Sequence, residues 1–297
     1  MSKLIFLGTG GGRGMIRTQE RRTAGVYVEI DNNKFSFDPG PGALLTALQL
    51  RLQPEKWNGV LLSHMHIDHC TDANAILDSI ASNSIQPFLV AERHCLQEKE
   101  KKENVKDYYP CITVYHQKLA KLYPMEPGKT VKVNGLDITA VRADHYDPTI
   151  GFVIKSKNLK LGFTSDSVYY TGMEKFYSGC DVLVVNTAVP MGSEISASNK
   201  FPKHHMSIKD LITLLKNMEQ KPRLTIIDRL SGFMIRANIW KQVKIAQDAA
   251  KCRIISSEDS MEIDLDDLNK NPRIIKSVDA RGVGSFQLDK EEKIRFE

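Results

Sequence analysis

The sequence predicts a mixed α/β fold, and three observations carry that expectation. Short apolar runs of strand length recur between amphipathic stretches of helical period along the whole 297-residue chain. No internal repeat or low-complexity linker divides it. Apolar residues make up 41% and charged residues 26%, a balance that builds a core and excludes wholesale disorder. Lys and Arg number 41 against 36 Asp and Glu, a formal charge of +5, which permits a phosphate-bearing substrate without requiring one. No apolar run approaches the roughly 18 residues of a membrane span. The opening Lys3-Leu-Ile-Phe-Leu-Gly8 turns to glycine too soon for a signal peptide. Cys70, Cys95, Cys111, Cys180 and Cys252 are odd in number and widely spaced, with no CxxC. That usage suits a reducing, cytoplasmic setting rather than a disulfide scaffold.

In chain order, Lys3–Leu7 reads as a buried strand feeding a glycine loop, Gly8–Gly14. Ala24–Ile30 and Lys34–Phe37 form a hairpin around Asp31-Asn-Asn33. Asp38-Pro-Gly-Pro-Gly42 breaks the sheet, and Ala43–Leu52 follows as an amphipathic helix. Gly59–Leu62 is a strand, Thr71–Ser82 a helix and Phe88–Ala91 a strand. Residues 92–125 carry a charge run, Glu98–Lys106, read as a solvated helix face or a lid, and two further strands. Val131–Val133, Asp137–Val141, Ile150–Ile154, Lys160–Thr164 and Asp181–Val185 are strands, the first two joined by an Asn134-Gly135 turn. Ser207–Met218 is a helix, Leu224–Ile227 a strand and Ile239–Ala250 a helix. Arg253–Ile255 and Met261–Ile263 are late strands. Residues 1–265 form the expected catalytic domain, and 266–297 a charged extension packed on it.

The strongest chemical feature is Ser63-His64-Met-His66-Ile-Asp68-His69, three imidazoles and a carboxylate within six residues just after a strand. Imidazole and carboxylate are ligands for zinc and similar divalent ions. On an extended segment His64 and His66 project to one side, and Asp68 and His69 begin the next helical turn. One short segment can thereby serve two neighbouring ions.

This HxHxDH pattern resembles the metallo-β-lactamase fold superfamily over residues 3 to 265. The resemblance implies a four-layer αββα sandwich and a hydrolase carrying two divalent ions. Asp38 matches an early Asp that supports the metal loop. His145, in Ala-Asp-His-Tyr, matches the third His of the first metal site, and Asp166, in Thr-Ser-Asp-Ser, the bridging Asp. Ligands spread from His64 to Asp228 must converge on one cleft, so most of the chain forms one unit. Within the superfamily the pattern is similar to ribonuclease Z and the cyclic phosphodiesterase of phosphonate degradation. The shared features are Phe6-Leu-Gly-Thr-Gly-Gly-Gly12, Asp38-Pro-Gly-Pro-Gly42 and Lys203-His204-His205-Met-Ser-Ile. The resemblance implies that His205, with His204 the alternative, contacts phosphate and protonates the leaving group.

Two departures stand out. Leu224-Thr-Ile-Ile-Asp228 places a carboxylate where the group carries a His. Asp228 is therefore either a ligand, which admits the harder Mn²⁺ or Fe²⁺ beside the expected Zn²⁺, or no ligand, with the second site weak or empty. Asn186 stands where relatives often carry an acidic residue that supports the catalytic His. The gap from His145 to Asp166 leaves no room for a long tRNA-holding arm, which favours a small phosphodiester or nucleotide-like substrate. Arg13, Arg17, Arg21 and Arg22 follow the first strand, as a phosphate-binding cluster or a solvated basic loop. A dinucleotide fingerprint fails because its third glycine position falls on Arg13. The expected roles are metal ligation by His64, His66, Asp68, His69, His145, Asp166 and Asp228, catalysis by Asp68 and His205, and substrate contact by Arg13, Arg17, His204 and His205. Ester, lactone or thioester hydrolysis and a non-catalytic metal-binding scaffold are the alternatives. A homo-oligomer is left open.

Overall fold

The computed structural model describes residues 2–96, 110–192 and 204–276. Strands β1 (Lys3–Gly8), β2 (Gly25–Ile30), β3 (Asn33–Phe37), β4 (Gly59–Leu62), β5 (Phe88–Glu92) and β6 (Lys121–Met125) open the first sheet. The second holds β7 (Thr130–Val133), β8 (Leu136–Arg142), β9 (Ile150–Lys155), β10 (Lys160–Phe163), β11 (Val182–Val189), β12 (Met206–Ser207), β13 (Leu224–Asp228) and β14 (Ile254–Ser256). The chain then returns to the first sheet with β15 (Met261–Asp264) and β16 (Arg273–Ile274). The strand orders are β16-β15-β1-β2-β3-β4-β5-β6 and β14-β13-β11-β10-β9-β8-β7, with β12 beside β11.

The helices are α1 (Gly12–Thr18), α2 (Ala43–Gln49), α3 (Ile67–Cys70), α4 (Ala73–Ser82), α5 (Val114–Leu119), α6 (Met173–Tyr177), α7 (Ile208–Asn217), α8 (Gly232–Arg236) and α9 (Ile239–Ala250). The period-2 alternation of the strands sorts their side chains into two cores. Leu4 and Phe6 of β1 face the second sheet and meet Ile138, Phe152 and Phe163. Ile5 and Leu7 face outward and pack with Ala47 of α2 and Ile76, Leu77 and Ile80 of α4. Across the molecule, Leu183, Val185 and Ile227 pack under Leu211 and Leu215 of α7 and Val243 and Ala246 of α9. Both sheets are thus covered on both faces, giving the αββα sandwich that the motif order implies.

Three consequences of this topology position the site. β3, β4 and β5 run parallel, as do β10, β11 and β13. The residues just past the carboxyl ends of β3, β4, β8 and β10, together with the end of β13, therefore gather at one rim. Gly40 then lets two of these loops touch. A Cβ there would sit 2.0 Å from the Asp68 carbonyl oxygen and 2.1 Å from that of Thr23.

Some elements differ from the sequence expectation. The glycine loop gives way to α1 from Gly12, with Arg13 and Arg17 one turn apart. The amide of Gly12 donates to the Asp68 carboxylate at 2.7 Å, a tertiary partner that local sequence does not reveal. The helix expected over Thr71–Ser82 starts at Ala73, where the Asp72 carboxylate accepts from the Leu44 amide instead. The short α6 and α8 were not anticipated, since neither spans two turns. Of residues 92–125, the described part holds one strand and α5, and the charge run lies outside the described residues. In the 266–297 segment, β16 pairs with β15, and residues 277–297 lie outside the described residues.

Gly40→Ala should force the two loops apart and cost about 1–3 kcal/mol, the usual range for overpacking. Urea unfolding of the metal-free protein measures it, and unchanged stability would mean that the loop contact is unimportant.

Candidate metal centre

The site is organised around one oxygen. Asp166 Oδ2 lies 3.8 Å from His64 Nε2, 3.4 Å from His69 Nε2, 4.0 Å from His145 Nε2 and 3.5 Å from His205 Nδ1. Its other oxygen accepts a 3.0 Å hydrogen bond from Asn186 Nδ2. Asn186 therefore fixes the carboxylate, where the sequence leaves open a hydrogen bond to the catalytic His or a merely structural role. Burial alone would raise the Asp166 pKa, but the surrounding imidazoles of His205, His69 and His64 hold it well below the usual range.

The hydrogen bonds on the far side of each ring decide which nitrogen faces inward. Ser63 Oγ donates to Asp38 Oδ2 at 2.6 Å and so accepts from His64 Nδ1 at 2.9 Å. His69 Nδ1 donates to Asp38 Oδ2 at 2.8 Å. His145 Nδ1 donates to the His204 carbonyl at 2.8 Å. His66 is reversed: its Nε2 donates to Asp147 at 2.8 Å, and its Nδ1 faces His145 Nε2 at 3.4 Å. Inward-facing lone pairs are thereby set on His64, His66 and His145.

The donor atoms of His64, His66, His145 and Asp166 all lie within 4.8 Å of one another, and those of Asp38, His64 and His69 form a second such group. Asp38 sits behind His69, with Oδ1 accepting from the Ser63 amide at 2.8 Å. His64 Nε2 and His69 Nε2 are buried with no hydrogen-bond partner. An orphaned nitrogen costs free energy unless a cation uses it, so at His64, a member of the four-donor set, the arrangement fits a divalent ion. Burial keeps His64 neutral, its pKa pushed well below the ordinary value. For His69, burial and then Arg229 push the pKa down, but Asp166, Asp68 and Asp38 outweigh both and hold it up at about 10.

The remaining expected residues divide. Asp68 Oδ2 lies 3.5 Å from His69 Nε2 and takes the Gly12 amide. Asp228 joins neither converging donor set. Its Oδ1 accepts from Ser257 Oγ at 2.6 Å, and burial raises its pKa to about 6. Arg13 and Arg17 line a cavity of about 300 Å³ with Asp166, Asn186, His205, Phe233 and Arg236. Arg21 and Arg22 do not join them. Arg21 pairs with Glu258 at 2.5 Å, and the Arg22 guanidinium meets Ser260 and Asp259. The His204 ring is exposed, and its carbonyl is what reaches the site. Ser63, Asp147 and Arg229 were missed by the sequence reading. Only Asp147, two residues after His145, carried a signal.

A family model described as a beta-lactamase superfamily domain matches residues 33–227. The chain belongs to the metallo-β-lactamase superfamily of hydrolases. An uncharacterized protein of Methanocaldococcus jannaschii is 29% identical over 239 residues, covering 80% of this chain and 86% of its own. The ribonuclease Z of Thermococcus kodakarensis is 22% identical over 59% of this chain, and the match spans 53% of that enzyme, about half its length. Among solved structures, the metallo-β-lactamase fold protein YhfI from Bacillus subtilis superposes with a TM-score of 0.68 at 16% identity, covering 88% of this chain and 98% of that one. A diphosphatase of the PhnP family gives 0.60 at 13%, covering 89% and 98%. Members of this superfamily bind divalent metals, typically zinc, and this chain carries a His/Asp cluster able to hold one.

Asp38→Asn keeps the shape of the buried side chain but loses the charge that, through the Ser63 hydroxyl, sets the His64 ring. It should weaken zinc binding about 10- to 100-fold, read by competition with a chromophoric chelator. Asp228 bears on stability. Its folded pKa of about 6 exceeds the unfolded 3.8, so the folded state holds this proton more tightly. The resulting advantage is complete below the unfolded value and lost as pH rises through about 6. In metal-free protein, Asp228→Asn should therefore gain up to about 3 kcal/mol on the parent between pH 4 and pH 8. A pH-independent difference between the two would refute it.

Proposed function

We propose that this superfamily hydrolase is a metal-dependent phosphodiesterase acting on a small phosphodiester or nucleotide-like substrate. The convergence of His64, His66, His145 and Asp166 beside a cavity lined by Arg13 and Arg17 carries the reading. Similarity to ribonuclease Z enzymes and the fold shared with a diphosphatase support phosphorus over carbon as the reacting centre.

The motif implies two divalent ions, most readily zinc. A bound divalent ion supplies Lewis acidity and lowers the pKa of water to near neutrality. The chain's own residues do the rest. Asp166, fixed by Asn186, presents one oxygen to the rings of His64, His69, His145 and His205, which their far-side hydrogen bonds hold in place. The exposed guanidinium groups of Arg13 and Arg17, one helical turn apart, suit the non-reacting phosphate oxygens. His205 lines the same cavity with Nδ1 held against Asp166, so its Nε2 can deliver a proton to the leaving oxygen. Met15 and Phe233 give the cavity an apolar side for the organic part of the substrate. The cavity suits a small ligand better than a folded RNA. A soluble, cytoplasmic setting follows the sequence expectation, and no helix among the described residues is long and apolar enough to cross a membrane.

His205→Ala should lower kcat about 10²- to 10⁴-fold on a phosphodiester such as bis(p-nitrophenyl) phosphate, with bound zinc unchanged. Turnover confined to carboxylic esters, lactones or thioesters in a parallel panel would overturn the phosphodiester assignment. No turnover of either class by metal-replete protein would favour a binding role.

A further inference from the structure

The second metal position is altered in two adjacent residues. At the end of β13, Asp228 occupies the ligand place, but its carboxylate turns toward the β14 side and is engaged by Ser257. Arg229 follows in a left-handed conformation, φ 54°, and is 3% exposed. One terminal nitrogen donates to the Asp68 carbonyl at 2.6 Å and the other to the Asp38 carbonyl at 2.7 Å. Both bonds go to neutral oxygens, so this guanidinium is a fixed buried cation with no carboxylate bound to it among the described residues. It also lines the cavity together with Asp166 and His205.

That placement matters because Asp68 and His69 are the other residues of the second position. A guanidinium is weakly hydrated and stays protonated at every working pH. A permanent positive charge beside this position repels a divalent ion, and in a low-dielectric interior the repulsion is little screened. The second position has therefore lost its fourth donor and gained a cation. The first position keeps four converging donors.

We infer that this protein retains one tightly bound divalent ion, at His64, His66, His145 and Asp166, and that the Arg229 guanidinium supplies the second positive charge of the site. Arg229 is then a positioning residue: it clamps the backbones of the Asp38 and Asp68 loops and sets the charge that a second ion sets in a dinuclear centre. Asp68 and His69 serve this charge network, through Gly12 and Asp38, rather than a second ion. The inference rests on the cluster being a metal site, as proposed above.

Metal content tests it without any substrate. The full chain is stripped with chelator, refilled with Zn²⁺ or Co²⁺, gel-filtered and analysed by elemental mass spectrometry. Titration calorimetry with Zn²⁺ and electron paramagnetic resonance of the Co²⁺ form accompany it. One retained ion per chain is expected, with an uncoupled Co²⁺ signal and a second equivalent bound at least about 100-fold more weakly. Two ions of affinity within about tenfold, or a spin-coupled Co²⁺ pair, would overturn the inference and leave the hydrolase reading standing. No retained ion would overturn both. The double variant Asp228→His with Arg229→Ser should gain the second ion. A folded double variant that still retains one ion would overturn the role given to Arg229. If that variant does not fold, the ion count of the native chain decides.

Discussion

A single carboxylate that never meets solvent organises the centre. Asp38 is fully buried, and its two oxygens take the Ser63 amide, the Ser63 hydroxyl and His69 Nδ1. Burying an unpaired carboxylate costs several kcal/mol, so these bonds must form together or the loop does not close. Once formed, they fix the tautomer of His64, hold the His69 ring through Nδ1 and turn both Nε2 atoms toward Asp166. The carbonyl of the same residue takes one arm of Arg229, whose other arm reaches the Asp68 carbonyl. Asp38 is thus the hub of the strand-end loops, and Gly40, two residues on, is what allows them to touch.

The fold places those loops by packing rather than by local preference. The core between the sheets joins Phe37 at the end of β3 to Phe152 and Phe163, the aromatic rings of Phe37 and Phe163 stacking at 4.4 Å. That contact carries the Asp38 loop of one sheet against the Asp166 loop of the other. A donor cluster built from chain positions 64 to 166 therefore depends on inter-sheet burial for its geometry, and shape complementarity in that core sets how closely the rings approach Asp166 Oδ2.

The legibility of the site followed sequence distance. His64, His66, Asp68 and His69 lie in one run, and their residue types and spacing suffice to name them. His145 and Asp166 were reached through a family pattern at the ends of strands whose apolar runs were plain. Partner choice across the fold was not legible. Asp228 has the chemistry of a ligand, yet Ser257, 29 residues later, determines where its carboxylate turns. The run Gly8–Gly14 reads as a loop because α1 is capped by Asp68, 56 residues away. Arg229 shows no pattern at all, because its meaning lies in two backbone carbonyls contributed by other loops.

The basic loop illustrates how the same residue type divides into different roles. Arg21 and Arg22 lie where Glu258, Asp259 and Ser260 descend beside them, and the Asp259 carboxylate also takes the amides of Thr9 and Arg22. Those two guanidinium groups tie the start of the chain to the segment before β15. Arg13 and Arg17 fall on α1, have no acidic partner beside them in the cavity lining except Glu20 and Asp166, and stay exposed. Only the second pair leaves charge available to an anion, since a cation already paired with a carboxylate gains little from a phosphate that must displace it. The net charge of +5 is therefore a poor guide to the partner. The useful quantity is the charge around the cavity without an ion pair among the described residues, where Arg13, Arg17 and Arg236 are exposed and Arg229 is buried. Under the function proposed above, this vertical arrangement would seat a compact anion against the imidazole cluster rather than a long polyanion across the surface.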